Sequence, residues 1–425
     1  MVALVYGQSI HDSIARIGIV GAGAGASSAA YFVRQYAGQE VDIEVFEKTD
    51  VVGGRVKSME FAGEHTEVGG SIYHLANKLF ADFVKLGKFK TYNPITEHSD
   101  PSAKPPPGFT SENSLLGIWN GKQFSFQESD SFIMNFVNGL WRYGLDGKYV
   151  GDEAAATLNK FLKVYELLDK QTFYTVEELL NALGLIDLTR VSLKQHLDEG
   201  SFCSYNNASY CNEIVTGLTR VNYGQSMDLN ALVGLIALIG STDDIATVVD
   251  GNYKVLEYAL WSANALVHYN SNVFKVSKTI NDKQKPKYAI SYYNMDGEVQ
   301  TVEDFDKIII AAPLEFASIE FEGFDIPTES LPNRPYQLTY VALVVGDIDL
   351  ENYFGLPSSA TQPQNIITPE TEDVEFTSIF LHGEYNGEGD VRKQYKVFSR
   401  HELTSEDLDK LFKNRTTTYQ TQFYA

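Results

Sequence analysis

The chain is poor in cysteine. Its 425 residues include two, Cys203 and Cys211. That count excludes a disulfide framework. One bridge and two reduced thiols are both open, and no cluster of His or Cys surrounds them to hold a metal. Basic residues are scarce as well. Lys and Arg number 34 against 56 Asp and Glu, a net charge of −22. Nucleic-acid binding rests on cations that neutralise phosphates, so no nucleic-acid partner is expected. Docking through a basic patch on an anionic membrane face is disfavoured too, and the acidity serves solubility. Long apolar runs are missing. None reaches about 18 residues, so no membrane-spanning segment is expected. The longest, Leu229 to Gly240, suits a buried helix. The opening MVALVYGQSIHDS lacks the charged start and apolar stretch of a signal peptide.

What is present is enough for a large α/β body or two intertwined domains. Hydrophobic residues make up 44%, with 25 Tyr and 25 Phe, so a sizeable core can be buried. The stretch RIGIVGAGAGASSAAYFVRQY, Arg16 to Tyr36, carries the most chemistry. Ile17 to Val20 reads as a buried parallel strand. Gly21, Gly23 and Ala26 follow with the spacing G-x-G-x-x-G/A, with Gly25 between them. Ala26, Ala29, Ala30, Val33 and Tyr36 share a helix face. A second strand, VDIEVFE, ends at Glu47. Gly21 permits a tight turn, Gly23 lets backbone approach a pyrophosphate, and Ala26 keeps the helix near the strand. The helix N-terminus offers free N–H groups to the anion. Glu47 can accept hydrogen bonds from a ribose and disfavours a 2′-phosphate.

The following segments separate flavin from nicotinamide. EKTDVVGGRVKSMEF places Gly53, Gly54 and Arg55 just after the ribose acid. TEVGGSIYH supplies Gly69, Gly70 and Ser71. Here the sequence resembles the glutathione-reductase-like flavoproteins of the amine oxidase and phytoene desaturase type. The resemblance implies a Rossmann-like FAD-binding domain. It puts the Gly-Gly-Arg loop over the FAD pyrophosphate and the later Gly-Gly pair near the flavin ring. It also implies that Val273, at the start of a later strand, pairs with the adenine through its backbone. Before that strand, Gly251-Asn252 reads as a turn and Leu256, Leu260 and Ala263 as one helix face. Asp296-Gly297 reads as a hairpin turn, and DKIIIAAPL, Asp306 to Leu314, as a returning buried strand.

LTRVNYGQSMDLNALVGLIAL (Leu218 to Leu238), GIWNGKQFSF, WRYG and FSRHELTSEDLDKLF resemble prenylcysteine oxidases, in the right order. The resemblance implies an FAD-dependent thioether oxidase acting on S-prenyl-cysteine, farnesyl or geranylgeranyl. Hydride loss from the allylic carbon beside sulfur, water addition and collapse would give cysteine and a prenyl aldehyde, with molecular oxygen leaving as hydrogen peroxide. Carried onto this chain, it suggests His74, Tyr223 and Gln225 as catalytic candidates. Arg142 is the candidate for the substrate carboxylate, with Asn222 beside the tail. The helix after Asn222 is expected to line an apolar channel or to be plain core. The resemblance also implies a monomer in a lysosome, vacuole or secretory compartment, which the sequons at Asn207 and Asn414 permit.

The expected architecture is α/β. A discontinuous FAD-binding domain (15–75 and 243–320) is interleaved with a helical and β-sheet substrate domain (85–242 and 325–425). A Pro-rich loop at 100–109 opens the latter. TLNKFLKVYELLDK is expected as one helix, and a capping box, Thr175 with Glu178, starts another. PYQLTYVALVVG reads as sheet. Flavoproteins of this type close the flavin site with a C-terminal Gly-x-Glu and an Ala-rich helix, and none is found after Phe412. The expectation is therefore a fragment or a relative lacking part of that apparatus. The alternatives are an oxidase of another amine or isoprenoid and a non-catalytic lipid-binding relative.

Overall fold

The computed structural model describes residues 15–93, 115–240, 244–281, 284–325, 334–370, 374–386 and 391–424. The Pro-rich loop expected at 100–109 lies outside them. The first unit is a parallel sheet built from distant parts of the chain. Its elements are β1 (Arg16–Val20), α1 (Ala24–Ala37), β2 (Asp42–Phe46), α2 (Tyr253–Ser262), β3 (Leu266–His268) and β4 (Lys307–Ile310). The strand order is β3-β2-β1-β4, all parallel, with Ile19 beside Val45 and Ile309.

Both faces of this sheet are covered, which is why its strands are apolar throughout. On one face Ile17, Ile19, Ile43 and Val45 meet Ala26, Ala29 and Ala30 of α1 and Leu256 and Leu260 of α2. The alanines let α1 lie close. Each fully buried Ile or Leu contributes roughly 1.5–3 kcal/mol. The other face packs against an antiparallel sheet of Asn272–Ile280, Pro286–Tyr293 and Val299–Phe305. Val20, Phe46, Val273, Ile290 and Phe305 form that interface. Gly18 has no room for a side chain, since a Cβ there would lie 2.7 Å from Ile290 Cδ1.

A seven-stranded sheet forms the second unit. In order its strands are Phe412–Tyr424, Leu338–Ile348, Val391–Ser399, Ser378–Asn386, Asn365–Ile367, Leu116–Trp119 and Phe124–Gln127. Side chains alternate between its faces. Ala342, Val344, Tyr395 and Val397 point to a core closed by the helix Ser405–Leu411. Val341, Leu343 and Val345 point the other way, onto Phe61 and Val68 of the glycine-rich segment.

Helices fill the third region. The helix Ala231–Ile239 is buried among Asp146–Phe161 and Leu193–Glu199. Packing reaches even its glycine, where a Cβ at Gly234 would lie 2.6 Å from Leu193 Cδ2. Of the two readings of this helix, channel wall or core, its contacts are those of core. Cys203 and Cys211 are joined in a disulfide beside it. The helix expected across 157–170 is two, Asp146–Phe161 and Val164–Lys170. The Thr175 cap forms, but Glu178 reaches the N–H of Tyr174 instead of closing the box on Thr175.

Candidate functional site

The turn after β1 is shaped mainly by backbone. Gly21 has φ +97° and donates its N–H to the Phe46 carbonyl at 2.8 Å. Gly23 caps α1 without any side-chain hydrogen bond, and no acidic residue stands in the first turn. Ala24 and Gly25 are exposed, while Ala26 is buried. The first N–H groups of α1 therefore face outward with a partial positive charge.

The second glycine loop folds onto this turn. Gly53 donates to the Ala22 carbonyl at 3.0 Å, and Gly23 and Gly53 form a parallel bridge. At φ +136°, a Cβ on Gly53 would sit 2.1 Å from the Val56 carbonyl oxygen. A Cβ on Gly54 would approach the Gly23 Cα at 3.4 Å. Beside the loop, Arg55 is exposed and donates Nη1 to the Tyr424 carbonyl at 3.0 Å.

Glu47 is buried and fixed. Its Oε2 accepts the Ala22 N–H at 2.8 Å, and its Oε1 accepts from Thr49 N and Oγ1 at 3.0 and 2.8 Å. Its carbonyl accepts the N–H of Ser271, two residues before the buried Val273. An outward helix N-terminus, a side-chain-free cradle and a fixed carboxylate fit a dinucleotide pyrophosphate and ribose.

The segment holding Gly69, Gly70 and Ser71 is clamped from the large sheet. Gly69 and Gly70 donate to the carbonyls of Lys57 and Arg55. A Cβ on Gly69 would stand 2.0 Å from the Arg55 oxygen. The strand Val391–Ser399 sends three side chains to this face. Gln394 Nε2 donates to Thr66 Oγ1 at 3.0 Å. Lys396 Nζ donates to the carbonyls of Glu67 and Gly69 and to Ser71 Oγ, at 3.1, 3.4 and 3.3 Å. The Lys396 cation also lies 5.1 Å from the Phe398 ring centre. An ammonium has three donors, and all three are used. Burial pushes the Lys396 pKa down to about 8, with Glu67 opposing the shift. Burial and the nearby Lys396 also push His382 down to about 4. Burial raises the Glu67 carboxyl, although Asn252 donates its N–H to Oε1 at 2.7 Å. Sequence reasoning passed over Lys396 and His382.

The sequence-derived catalytic and substrate residues fall elsewhere. His74 Nδ1 accepts the Ala76 N–H at 3.0 Å. A neutral ring then carries its proton on Nε2 and has no free acceptor. Burial lowers its pKa, against Asp244. In this arrangement the candidate proton acceptor also closes a local turn. Arg142 is paired with Glu213, through Nη2 to Oε1 and through Nε to Oε2 at 2.8 Å, and Tyr143 donates to the same carboxylate. That guanidinium is already neutralised by Glu213, so taking up a substrate carboxylate would require it to share or leave this pair. Asn222 donates Nδ2 to the Ala237 carbonyl at 3.1 Å and ties two helices together.

Tyr223 and Gln225 flank Gly224, which packs under the large sheet. Its carbonyl accepts from Arg400 Nε at 3.0 Å, and a Cβ there would lie 2.9 Å from Thr339 Oγ1. Burial raises the Tyr223 phenol. Arg400 is four residues beyond Lys396, about 13 Å along the strand. One strand therefore reaches both the glycine segment and the Tyr223 turn. Behind that turn, Arg220 and Arg400 converge on Glu370, with Arg220 Nη1 at 2.8 Å from Oε2. Burial works against the Glu370 carboxylate, yet the two guanidiniums hold its pKa low.

Comparison with known proteins fits this geometry. Residues 126–425 match the prenylcysteine lyase family, and residues 19–86 match the NAD(P)-binding Rossmann-like domain. The chain is 30% identical to farnesylcysteine lyase of Arabidopsis thaliana over 430 aligned residues, covering 97% of this chain and 79% of that protein. It is 31% identical to prenylcysteine oxidase 1 of Homo sapiens over 416, covering 93% and 77%. Among solved structures it resembles putrescine oxidase, with a TM-score of 0.56, 17% identity and coverage of 95% and 84%. A fatty acid isomerase from P. acnes matches at TM-score 0.56 and 14% identity, covering 96% and 86%. At such identities the structural likeness concerns the fold.

Proposed function

The chain belongs to the prenylcysteine lyase family, and we propose that it is an FAD-dependent thioether oxidase cleaving S-prenyl-L-cysteine. The overall conversion takes the thioether, water and O2 to cysteine, a prenyl aldehyde and H2O2, which balances in atoms and electrons. The observation that carries the reading is one strand. Val391–Ser399 brings Lys396 to the glycine segment and ends beside the Tyr223 turn. It joins the glycine segment at 66–71 to the turn at Tyr223.

In this reading Gly21, Gly23, Gly25, Ala26, Gly53, Gly54 and Arg55 hold the pyrophosphate, Glu47 the ribose and Val273 the adenine side. Gly69, Gly70 and Ser71 form the floor beside the flavin. FAD supplies the two-electron oxidation when bound. Lys396 keeps the floor in place through its three hydrogen bonds. Addition of water to the oxidised carbon releases a proton, and His382, neutral at pH 7, offers an acceptor nitrogen for it. Tyr223 and Gln225 present polar atoms to the amino-acid end. The Cys203–Cys211 bridge supports an oxidising compartment, lysosomal or secretory. We take the active form to be a monomer.

The test is a visible spectrum of the purified chain, followed by addition of S-farnesyl-cysteine with peroxide and free thiol measured together. Both products should appear in equal amounts. Bound flavin without turnover would assign the fold to another amine or isoprenoid. Failure to take up FAD after reconstitution would leave a non-catalytic lipid-binding relative.

A further inference from the structure

The helix Phe132–Tyr143 has an unusual surface. Phe132 is 82% exposed and Trp141 77%, and Ile133, Phe136, Val137 and Leu140 are exposed with them. At 100° per residue these six side chains sweep an arc of about 180°. A helix docked against one protein partner needs an apolar stripe of about 100°. This helix is apolar well beyond that stripe. Its one side chain in the core is Tyr143, which packs with Ile118, Ile367 and Val221. The C-terminal turn is fastened by Arg142 to Glu213, by Asn206 Nδ2 to the Arg142 carbonyl at 3.0 Å, and by Tyr205 Oη to the Trp141 carbonyl at 3.3 Å.

Charge selects the kind of surface it fits. The twelve residues hold one charged side chain, Arg142, and Glu213 neutralises it. Just beyond, Lys148 is paired with Asp152. The helix itself therefore carries no net charge on a chain of net charge −22, and the nearest charge ahead of it is the carboxylate of Asp130. The patch suits a zwitterionic lipid surface and carries no basic residues for an anionic one. Trp141 and, past the helix, the exposed Tyr149 are rings of the kind that settle at a lipid–water boundary. Among the described residues no helix is long and apolar enough to cross a membrane. The patch also adjoins the substrate region, because Val221 shares a helix with Tyr223.

We propose that the Phe132–Tyr143 helix is a monotopic docking element that lies in the headgroup layer of a neutral lipid bilayer. It goes beyond the catalytic reading and does not depend on it, since the probe is a vesicle without any prenylcysteine.

The experiment is flotation of the full chain with phosphatidylcholine vesicles. The wild type should float with them, and less so when phosphatidylserine is mixed in at low salt. The triple change Phe132→Ser, Phe136→Ser, Trp141→Ser should lower partitioning by at least about tenfold, with melting temperature unchanged because the three side chains are exposed. Brominated lipid gives a second readout that needs no triple variant. Trp141→Phe should remove most of the tryptophan quenching, while Trp261→Phe, an equally exposed control, should leave it. A wild type that stays in the soluble fraction, or floats equally well after the triple change, overturns the proposal. So does a wild-type dimer that the triple change converts to monomer, which would assign the face to a second copy.

Discussion

The two sides of the candidate site are built on different principles. The cradle at residues 21–26 and 53–54 is mostly backbone against backbone, with Gly53 where a side chain would intrude and Gly21, Gly53 and Gly54 at positive φ. The floor at 67–71 is held from a separate sheet by long side chains, Gln394 and Lys396, that lose water to do so. Both fail when an atom is added, at Gly53 in the cradle and at Gly69 in the floor. The floor fails also when a donor is removed, because buried carbonyls would be stranded. The contrast fits the tasks proposed for them. A pyrophosphate needs close N–H groups, whereas the floor of a redox site needs a fixed position and a controlled charge.

Gly53→Val should break the cradle outright. The added Cβ would meet the Val56 oxygen at 2.1 Å in a positive-φ conformation. We expect loss of flavin absorbance in the purified protein, at a stability cost of several kcal/mol. Retention of normal flavin content would refute the cradle.

Lys396→Met should act on the floor. Its removal strands the acceptors on Glu67, Gly69 and Ser71 and should cost about 3 kcal/mol. The pH dependence distinguishes charge from packing. The folded Lys396 pKa of about 8 lies below the unfolded value, so the unfolded chain binds more protons above pH 8. Wild-type stability should therefore gain on the order of 3 kcal/mol as pH rises from about 8 to 10.5, relative to the Met variant. Parallel denaturation curves of the two proteins across this range would contradict the shift.

His382, close enough to Lys396 to feel its charge, is the proposed proton acceptor, and His382→Phe should lower kcat by about 100-fold. His74→Gln should change kcat less than threefold, roughly, since that ring is spent on the Ala76 N–H. A reversal of the two effects in steady-state peroxide assays would return the proton to His74. Arg142→Lys is the mildest change. Losing the two-pronged contact with Glu213 should cost about 1 kcal/mol and leave the KM for S-farnesyl-cysteine unchanged. A raised KM would restore Arg142 to the substrate.

The legibility of each part follows from its locality. The cradle's turn, helix and ribose acid lie within 16 to 47, and glycine spacing there is itself the geometry. Lys396 was invisible for a physical reason. In KQYKVFS the apolar Tyr395 and Val397 alternate with Gln394 and Lys396, the pattern of a strand wet on one side. Both faces are covered, and the cover on the polar face comes from residues more than 300 positions away. The pairing of Arg142 was hidden for the same cause, since its partner Glu213 is 71 residues distant. The helix beginning at Phe132 is rich in apolar residues, but nothing local says that its apolar face lacks a protein cover.

The alternation along Val391–Ser399 has one more consequence, for how errors in assembly would be felt. A slip of one residue would exchange the two faces of the strand. Lys396 would enter the apolar layer beneath the helix Ser405–Leu411, and Tyr395 would meet the glycine segment. Pairing with Leu338–Ile348 on one side and Ser378–Asn386 on the other counts out the correct position. The sheet thus acts as a ruler. Deleting a single residue between Gln394 and Phe398 should damage cofactor and substrate regions together, as no single substitution there would.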